Sequence, residues 1–389
     1  MASIDIEKRR RILDGIQGEK MQALILRYPE NVVYATSYWP CFGWSTCFYP
    51  LDGEPVLILP ECELPYVEKA EFGDLRAIRN DYAESTLQIL SQVVAERRLE
   101  RATLGVESSF ETMAANHVGG EANFPNAPSF EGMKSRLPGC KIVDATPLLY
   151  RLRSIKSTRE IEKLSLVNKI AEKGLESARD ALKPGLRETE LASVAEKAIH
   201  TFGVGYRGTS RARGFAFVMS GPLSAEAHMP FNISTKRRIR RGDIVLMELN
   251  VYADGYWSDL TRAWTCGKPT AKQTEIYDIV LGTQREATRS IRDGISEEEP
   301  YLKAKSFIDR EGFGHYYPHG LGHGIGARIH EPIPALGPGS KGALRSGMVH
   351  SVEPGIYIKG YGGIRIEDNV LDRTKGAIYL STFERTLET

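Results

Sequence analysis

Residues 243–265 read DIVLMELNVYADGYWSDLTRAWT, a pattern that predicts a β-hairpin carrying acidic side chains on one face. Apolar and β-branched residues flank a tight turn over 253–255, as expected for two strands joined by a short loop. Folding the segment about the midpoint between 253 and 254 places Glu248 directly opposite Asp259. Like charges that face each other on neighbouring strands are destabilising, so the pattern predicts a compensating cation.

A second acidic hairpin is predicted near the end of the chain. We expect strands over residues 349–357 and 364–371, joined by a glycine-rich loop. Folding about Gly360 sets Glu353 opposite Glu367. One facing acid pair alone is usually a solvated surface feature. Two pairs in apolar, β-branched contexts indicate a buried cation site.

Each hairpin follows a pair of predicted helices. Apolar periodicity predicts helices over 158–182 and 187–201, and again over 271–292 and 297–310. One ungapped offset aligns Gly185 with Gly294, Ile199 with Ile308 and Gly203 with Gly312. This weak repeat predicts a duplicated αα-β unit, in which helices cover one face of a sheet in an α+β fold.

The first part of the chain predicts a separate α/β domain with a mixed sheet. Short apolar runs predict buried strands at 23–26, 56–59 and 102–106, and helical patterns lie near 5–18, 62–71 and 84–99. A boundary is expected near 151–156, just before a helix-capping sequence. We therefore predict one domain over 1–152 and a second over 153–389.

Three histidines lie in the glycine-rich run HGLGHGIGARIHEP, residues 319–332. So much glycine disfavours a helix but lets the backbone approach a ligand closely. His319, His323 and His330 are therefore candidate site residues, and His228 is a weaker one. One imidazole with four carboxylates suits Mn, Fe, Co or Zn. Four carboxylates could neutralise two such ions, which at about 3.5–4 Å apart can activate water and polarise a carbonyl.

Composition excludes several classes of protein. The 389 residues carry a formal net charge of +1, which gives no overall attraction to nucleic acid or anionic membranes. Five cysteines, an odd number without CxxC spacing, favour a reducing compartment over a disulfide framework. No apolar run approaches the roughly 18 residues of a membrane span, and the charged first residues do not fit a signal peptide. We expect a cytoplasmic protein.

At these motifs the sequence resembles the pita-bread metallopeptidase family M24, which includes methionine aminopeptidase, aminopeptidase P, prolidase and creatinase. The resemblance covers about 155–385 and is carried by GYWSDLTR (255–262), HGLGH (319–323), HEP (330–332), GMVHSVEPGIY (347–357) and GIRIED (363–368). The first domain resembles the creatinase-type amino-terminal domain through NVVYATSY (31–38). The implied fold is this α/β domain followed by a pseudo-twofold pita-bread catalytic domain.

The resemblance also implies a set of metal ligands for one or two divalent ions (Mn, Zn, Co or Fe). These are Glu248, Asp259, His323, Glu353 and Glu367. Asp259 and Glu367 would bridge two ions, and Glu353 would also act as general base for the attacking water.

Further roles implied by the resemblance concern the substrate and a partner subunit. His228, His319 and His330 would contact the substrate or steady the tetrahedral intermediate, and Arg365 would lie near the substrate carboxylate. The substrate would be a small molecule or short peptide, with Xaa-Pro dipeptides the first to try. Homodimers are usual in the prolidase and creatinase branches, where Tyr38, Trp39 and Trp44 could complete the partner's pocket.

One departure leaves the function open. The family's metallopeptidases have Asp where this chain has Glu248. Members that are not peptidases, such as creatinase and ectoine hydrolase, also depart at this strand. The alternatives are therefore a small-molecule hydrolase or lyase in which His228 is the main acid–base group, and a non-catalytic binding protein. The retained acids and imidazoles favour a metal-dependent hydrolase.

Overall fold

Two units, Met1–Arg153 and Ser154–Thr389, make up the chain. The structure is a computed structural model and describes residues 5–40, 45–67, 73–79, 81–108, 127–229 and 233–388. Among these residues, no helix combines the length and the apolar content needed to cross a bilayer.

A six-stranded sheet forms the centre of the first unit. Its strands are β1 (Ala23–Leu26), β2 (Thr46–Pro50), β3 (Val56–Pro60), β4 (Asp74–Ile78), β5 (Thr103–Val106) and β6 (Lys141–Asp144). Their spatial order is β4-β3-β2-β1-β5-β6. The strand β2 is antiparallel to both neighbours and the other pairings are parallel, so the sheet is mixed, as predicted.

Helices cover both faces of this sheet. They are α1 (Ile6–Gly18), α2 (Pro29–Thr36), α3 (Leu64–Val67), α4 (Tyr82–Glu96), α5 (Ala127–Arg136) and α6 (Thr146–Ser154). Alternate residues of β1 point to opposite faces, so that Leu24 packs with Ile12 of α1 and Ile25 packs with Val93 of α4. The helix predicted over 62–71 is a 3-10 turn followed by α3, and residues 68–72 lie outside the described part.

The aromatic residues assigned to a partner's pocket have different surroundings. Tyr38 is buried, and its hydroxyl donates a hydrogen bond to the carboxylate of Glu63. Trp39 is half-buried, and Trp44 lies outside the described residues. Their contact with a partner subunit stays a prediction.

Four helices in two pairs confirm the predicted duplication of the second unit. They are α7 (Thr158–Ala181), α8 (Glu188–Gly203), α9 (Ala271–Ser290) and α10 (Glu298–Arg310). The first helix of each pair begins with a capping box, Ser157 with Glu160 in α7 and Thr270 with Gln273 in α9. In each box, side chain and backbone satisfy N–H groups that the first helical turn leaves unpaired.

The strands in the described part of the second unit form three sheets. Their strands are β7 (Ala212–Ser220), β8 (Ile244–Ala253), β9 (Tyr256–Thr265), β10 (Gly322–Gly324), β11 (Glu331–Leu336), β12 (Val349–Val352), β13 (Gly355–Ile358), β14 (Gly362–Arg365), β15 (Asp368–Arg373) and β16 (Gly376–Tyr379). The orders are β7-β8-β9, β11-β10-β12-β15-β16 and β13-β14.

Each helix pair packs on the apolar face of its own sheet. Ile170 of α7 lies in one core with Leu249 of β8, and Val280 of α9 lies in another with Val352 of β12. The two halves meet where the Glu367 N–H donates to the Thr261 carbonyl at 3.1 Å. Because strand side chains alternate, the residues between these apolar positions point away from the helices, and the acids occur there.

Candidate metal centre

The turn of the first acidic hairpin lies one residue beyond its predicted place. Ala253 pairs with Tyr256, so the loop consists of Asp254 and Gly255 alone. Their φ angles are 42° and 94°. Positive φ at both positions gives the type of turn that matches the twist of the flanking strands, and Asp-Gly adopts it far more readily than a pair containing alanine.

This turn shifts every pairing in the hairpin by two residues. Glu248 faces Thr261, and Asp259 faces Asn250. The predicted alignment of Glu248 with Asp259 was therefore wrong. A shift of two keeps side chains on the same face, because the side-chain period of a strand is two. Both acids still point into the same site, as diagonal rather than direct neighbours.

Each acid of the first hairpin has a nearby donor. Nη2 of Arg365 donates to Oε2 of Glu248 at 2.6 Å. Nδ2 of Asn250 donates to Oδ1 of Asp259, also at 2.6 Å. Arg365 is almost fully buried, and its Nε donates to Oγ1 of Thr261 at 3.0 Å. The guanidinium group is thus fixed beside the carboxylates.

The second acidic hairpin has the predicted register. Val352 pairs with Asp368, and Gly355 pairs with Arg365, which places Glu353 between those rungs and opposite Glu367. The predicted long strands are each interrupted there. The ladder restarts after Pro354, whose ring nitrogen carries no N–H group to donate.

Hydroxyl groups orient both glutamates of this hairpin. Oγ of Ser351 donates to Oε1 of Glu353 at 3.1 Å, and Oγ1 of Thr261 donates to Oε2 of Glu367 at 2.6 Å. The same Ser351 Oγ accepts a hydrogen bond from the backbone N–H of His323 at 3.1 Å. Ser351 therefore ties the histidine segment to the second hairpin.

The glycine-rich run packs its backbone tightly against neighbouring strands. A Cβ atom on Gly322 would lie 2.2 Å from the carbonyl oxygen of Ser351, and one on Gly324 would lie 2.5 Å from that of Ile333. Only glycine fits at these two positions without moving backbone atoms. The packing brings His323 between them to the acids.

His323 presents one ring nitrogen to the carboxylates. Its Nδ1 lies 3.1 Å from the carbonyl oxygen of Gly324, a contact that places the ring proton on Nδ1. Nε2 lies 3.4 Å from Oε1 of Glu353 and 3.8 Å from Oδ2 of Asp259. Burial lowers the pKa of His323 to about 4, so the ring is neutral and its Nε2 lone pair is available near neutral pH.

A second group of rings lies beside Arg365. Nε2 of His319 is 3.0 Å from the hydroxyl of Tyr357, and its Nδ1 is 2.7 Å from the Gly320 carbonyl oxygen. Nη1 of Arg365 donates to the same tyrosine hydroxyl at 3.3 Å. The rings of His228 and Tyr357 lie 5.0 Å apart between centroids. The ring of His330 lies beside that of His323 at a tilt of 38°, with centroids 4.1 Å apart.

All the residues proposed for the site from the sequence line one cavity of about 310 Å³ in the second unit. They are His228, Glu248, Asp259, His319, His323, His330, Glu353, Arg365 and Glu367. The structure thus brings together side chains separated by up to 139 positions in sequence, at His228 and Glu367. Their individual roles remain predictions.

The buried acids repel one another. Burial raises the pKa of Asp259 well above its usual value, and Glu248 raises it further. Burial likewise raises the pKa of Glu367, to which Asp259 and Glu353 add. Burial also raises the pKa of Glu353, although Arg365 opposes the shift. A bound cation would relieve this repulsion.

Comparison with known proteins assigns the fold. The profile of metallopeptidase family M24 matches residues 162–372, and that of the creatinase/prolidase N-terminal domain matches residues 8–155. The chain belongs to metallopeptidase family M24. The predicted family and fold class are therefore confirmed, with a creatinase-like first domain and a pita-bread catalytic domain.

Relatives of this M24 chain extend over its whole length. The Xaa-Pro dipeptidase of Pyrococcus horikoshii is 31% identical over 381 residues, which are 98% of each protein. The crystal structure of the prolidase from P. horikoshii OT3 matches with a TM-score of 0.80 at 28% identity, covering 98% of this chain and 99% of that one. The Xaa-Pro dipeptidase from Bacillus anthracis matches with a TM-score of 0.82 at 25% identity, covering 99% of each. The prediction of a metal-dependent hydrolase agrees with these matches.

The donor atoms of this M24 site fit a divalent ion. His323, Glu353 and Glu367 form one group whose ligand atoms lie within 4.8 Å of one another, and Asp259, His323 and His330 form another. Oε1 of Glu367 is buried and has no hydrogen-bond partner in the described part of the chain. One imidazole with carboxylate oxygens is a donor set for hard or borderline ions. Neither group among the described residues contains Glu248.

Sequence reasoning missed four residues that shape the M24 site: Asn250, Thr261, Ser351 and Tyr357. Asn250 lies two positions after Glu248, so the alternation of the strand already places it on the acidic face. Ser351 lies two positions before Glu353 in the same way. Tyr357 is the last residue of the motif GMVHSVEPGIY, but its contact with His319 depends on the packing of separate loops.

Proposed function

We propose that this M24 protein is a metal-dependent Xaa-Pro dipeptidase, which cleaves the amide bond before proline in short peptides. One observation carries the proposal: His323, Glu353 and Glu367 bring their ligand atoms within 4.8 Å of one another in the wall of an acidic cavity. The cavity volume of about 310 Å³ is at the lower end of the range of about 300–1,000 Å³ for small-molecule sites, which favours a short substrate. The relatives named as Xaa-Pro dipeptidases support the choice of peptide.

Glu353 is the proposed general base. Burial raises its pKa, which moves the carboxylate toward the range in which a base works well near neutral pH. It would accept a proton from the attacking water and deliver it to the leaving nitrogen. When bound, a divalent ion polarises a carbonyl oxygen and lowers the pKa of water.

The surrounding imidazoles and Arg365 are proposed to hold the substrate. His228, His319 and His330 line the cavity, where His228 and His330 can donate hydrogen bonds to the carbonyl oxygen as negative charge develops on it. Tyr357 and the Gly320 carbonyl hold the His319 ring on both nitrogens, so its orientation is fixed. Arg365 would supply positive charge for the substrate carboxylate.

The experiment compares metal-loaded and chelator-treated protein on Gly-Pro and Ala-Pro, with proline release as the readout. We expect cleavage only with metal, and we expect Glu353→Gln to lower kcat by about 10²–10⁴-fold. Glu275→Gln is the control, because Glu275 is exposed on α9. Failure of metal-loaded protein to cleave any Xaa-Pro dipeptide would refute the proposed substrate.

A small-molecule hydrolase is the second candidate, and the ion pair of Glu248 with Arg365 favours it. In that contact Glu248 neutralises the positive charge of Arg365, which would otherwise be available to the carboxylate of a peptide substrate. His228 would then be the main acid–base group. Turnover of creatine-like amidino compounds or ectoine, without turnover of dipeptides, would select this function.

Metal identity, assembly and location belong to the same proposal. We infer that Mn, Zn, Co or Fe occupies the site, that the protein is a cytoplasmic homodimer, and that its substrate is small. Elemental analysis of protein purified without chelator tests the first point. Light scattering of the full chain and cell fractionation test the others.

A further inference from the structure

The carboxylates of the two acidic hairpins differ in the groups that they meet. Both candidate ligand groups in the described part of the chain contain His323, and neither contains Glu248. Glu353 and Glu367 of the second hairpin form one group with the imidazole, and Asp259 of the first hairpin belongs to the other. The two acids of the first hairpin accept hydrogen bonds from nitrogen donors, whereas those of the second accept from hydroxyl groups.

Arg365 forms an ion pair with the carboxylate of Glu248. Nη2 and Oε2 are 2.6 Å apart, the length of a strong charge-assisted hydrogen bond. Glutamate extends one C–C bond, about 1.5 Å, further than aspartate, and this length brings its carboxylate to the guanidinium group. Nε of Arg365 also lies 4.0 Å from Oε2 of Glu367. The guanidinium thus lies between acids from both hairpins, as a bridging cation would.

Asn250 donates a hydrogen bond to one oxygen of Asp259. Its Nδ2 donates to Oδ1 at 2.6 Å, from the directly opposite position on β8. The other oxygen, Oδ2, is the one that faces His323 Nε2 at 3.8 Å. Asp259 therefore presents Oδ2 to the imidazole side, while its Oδ1 is held by the Asn250 amide.

We propose that this site holds one divalent ion, bound by His323, Glu353, Glu367 and Oδ2 of Asp259, and that the Arg365 guanidinium replaces a second ion with Glu248 as its counter-charge. The inference rests on the metal-dependent function proposed above. It makes Glu248 a positioning residue for Arg365 and not a ligand.

Metal stoichiometry tests this inference directly. Protein stripped with a chelator is titrated calorimetrically with Mn²⁺, and the bound metal is measured by elemental analysis after desalting. We expect one ion per chain in the unaltered protein. Glu248→Gln keeps a hydrogen-bond acceptor for Arg365 but is a weak metal ligand, so the variant should still bind one ion, with a smaller loss of affinity than Glu367→Gln shows.

A double variant tests the reason for the single ion. Glu248→Asp shortens the side chain away from Arg365, and Asn250→Ala releases Oδ1 of Asp259. In the double variant the number of ions bound per chain should rise from one to two. In Glu248→Asp alone the measured number should lie between one and two. The exposed Glu275→Gln serves as the matched control and should bind one ion.

The outcomes separate this inference from the proposed function. Two ions in the unaltered protein, or loss of one ion in Glu248→Gln, would overturn the inference while leaving peptidase function intact. One ion without cleavage of any dipeptide would overturn only the function. A chain that binds no ion would overturn both. Because Glu248→Gln is a mild change, the test stands even if the double variant fails to fold.

Discussion

The two acidic hairpins of the catalytic domain come from equivalent halves of a duplicated fold, yet they carry different local chemistry. In the hairpin of β8 and β9, Glu248 and Asp259 accept hydrogen bonds from Arg365 and Asn250. In the later hairpin, Glu353 and Glu367 accept from serine and threonine hydroxyls and lie near His323. Both halves gather acids on one strand face, while single residues decide which protein donors those acids meet.

Among the tests of this difference between the hairpins, the removal of Arg365 should have the largest effect. Arg365→Gln leaves the buried carboxylates without their fixed cation, which should cost about 3–5 kcal/mol in the free energy of unfolding of metal-free protein. Urea unfolding measures the change. The exposed Arg292→Gln is the control and should stay within about 0.5 kcal/mol.

A rescue experiment completes this prediction. Adding Glu248→Gln to Arg365→Gln removes the stranded negative charge, so the double variant should recover part of the lost stability. No recovery would mean that Glu248 and Arg365 do not act as a pair.

Removing an acid from the second hairpin should have the next largest effect. Glu367→Gln should weaken Mn²⁺ binding by about 100-fold or more, because it removes a proposed ligand that Thr261 orients. The comparison variant is Glu248→Gln, which should lose clearly less affinity than Glu367→Gln because Glu248 is not a proposed ligand. Equal losses in the two variants, measured by calorimetry, would remove the distinction between the hairpins.

A buried histidine should make the second hairpin sensitive to pH. Nε2 of His350 lies 2.9 Å from Oδ1 of Asp372. Burial disfavours the charged ring, but Asp372 more than compensates and raises the pKa of His350. The pair therefore stabilises the fold fully below the unfolded-state pKa of about 6.5 and loses that contribution as pH rises through the folded-state pKa.

We expect His350→Gln to cost about 1.5–3 kcal/mol at low pH and less at high pH. Urea midpoints at about pH 6 and about pH 9 measure the difference. The exposed His315→Gln is the matched control. An equal loss of stability at both pH values would show that the charged His350–Asp372 pair does not stabilise this hairpin.

The smallest expected effect concerns Ser351, which contacts both His323 and Glu353. Ser351→Ala should weaken Mn²⁺ binding by about 10-fold, because groups that orient ligands contribute about 10–100-fold to affinity. The exposed Ser346→Ala should leave binding unchanged. Calorimetric affinities that do not differ between the two variants would show that the serine orients nothing.

The fold was largely predictable because it depends on repeated local patterns. The four catalytic-domain helices begin and end within a few residues of their predicted bounds, since capping sequences and terminal Pro or Gly mark their ends. The second hairpin had the right register because its glycine-containing loop is symmetric about Gly360. The first failed by one residue because the prediction included Ala253 in the turn, although Asp254-Gly255 alone is a sequence signal for a two-residue loop.

The sequence by itself determined which acids and imidazoles are available and on which strand face each acid lies, because the period of two and the helix-ending signals are local properties of the chain. Only the tertiary structure decided which donor meets which carboxylate. Arg365 and Glu248 are 117 positions apart, and Asn250 meets Asp259 only in the observed register. Such contacts depend on side-chain length and on how two sheets pack, and neither is encoded in a local pattern.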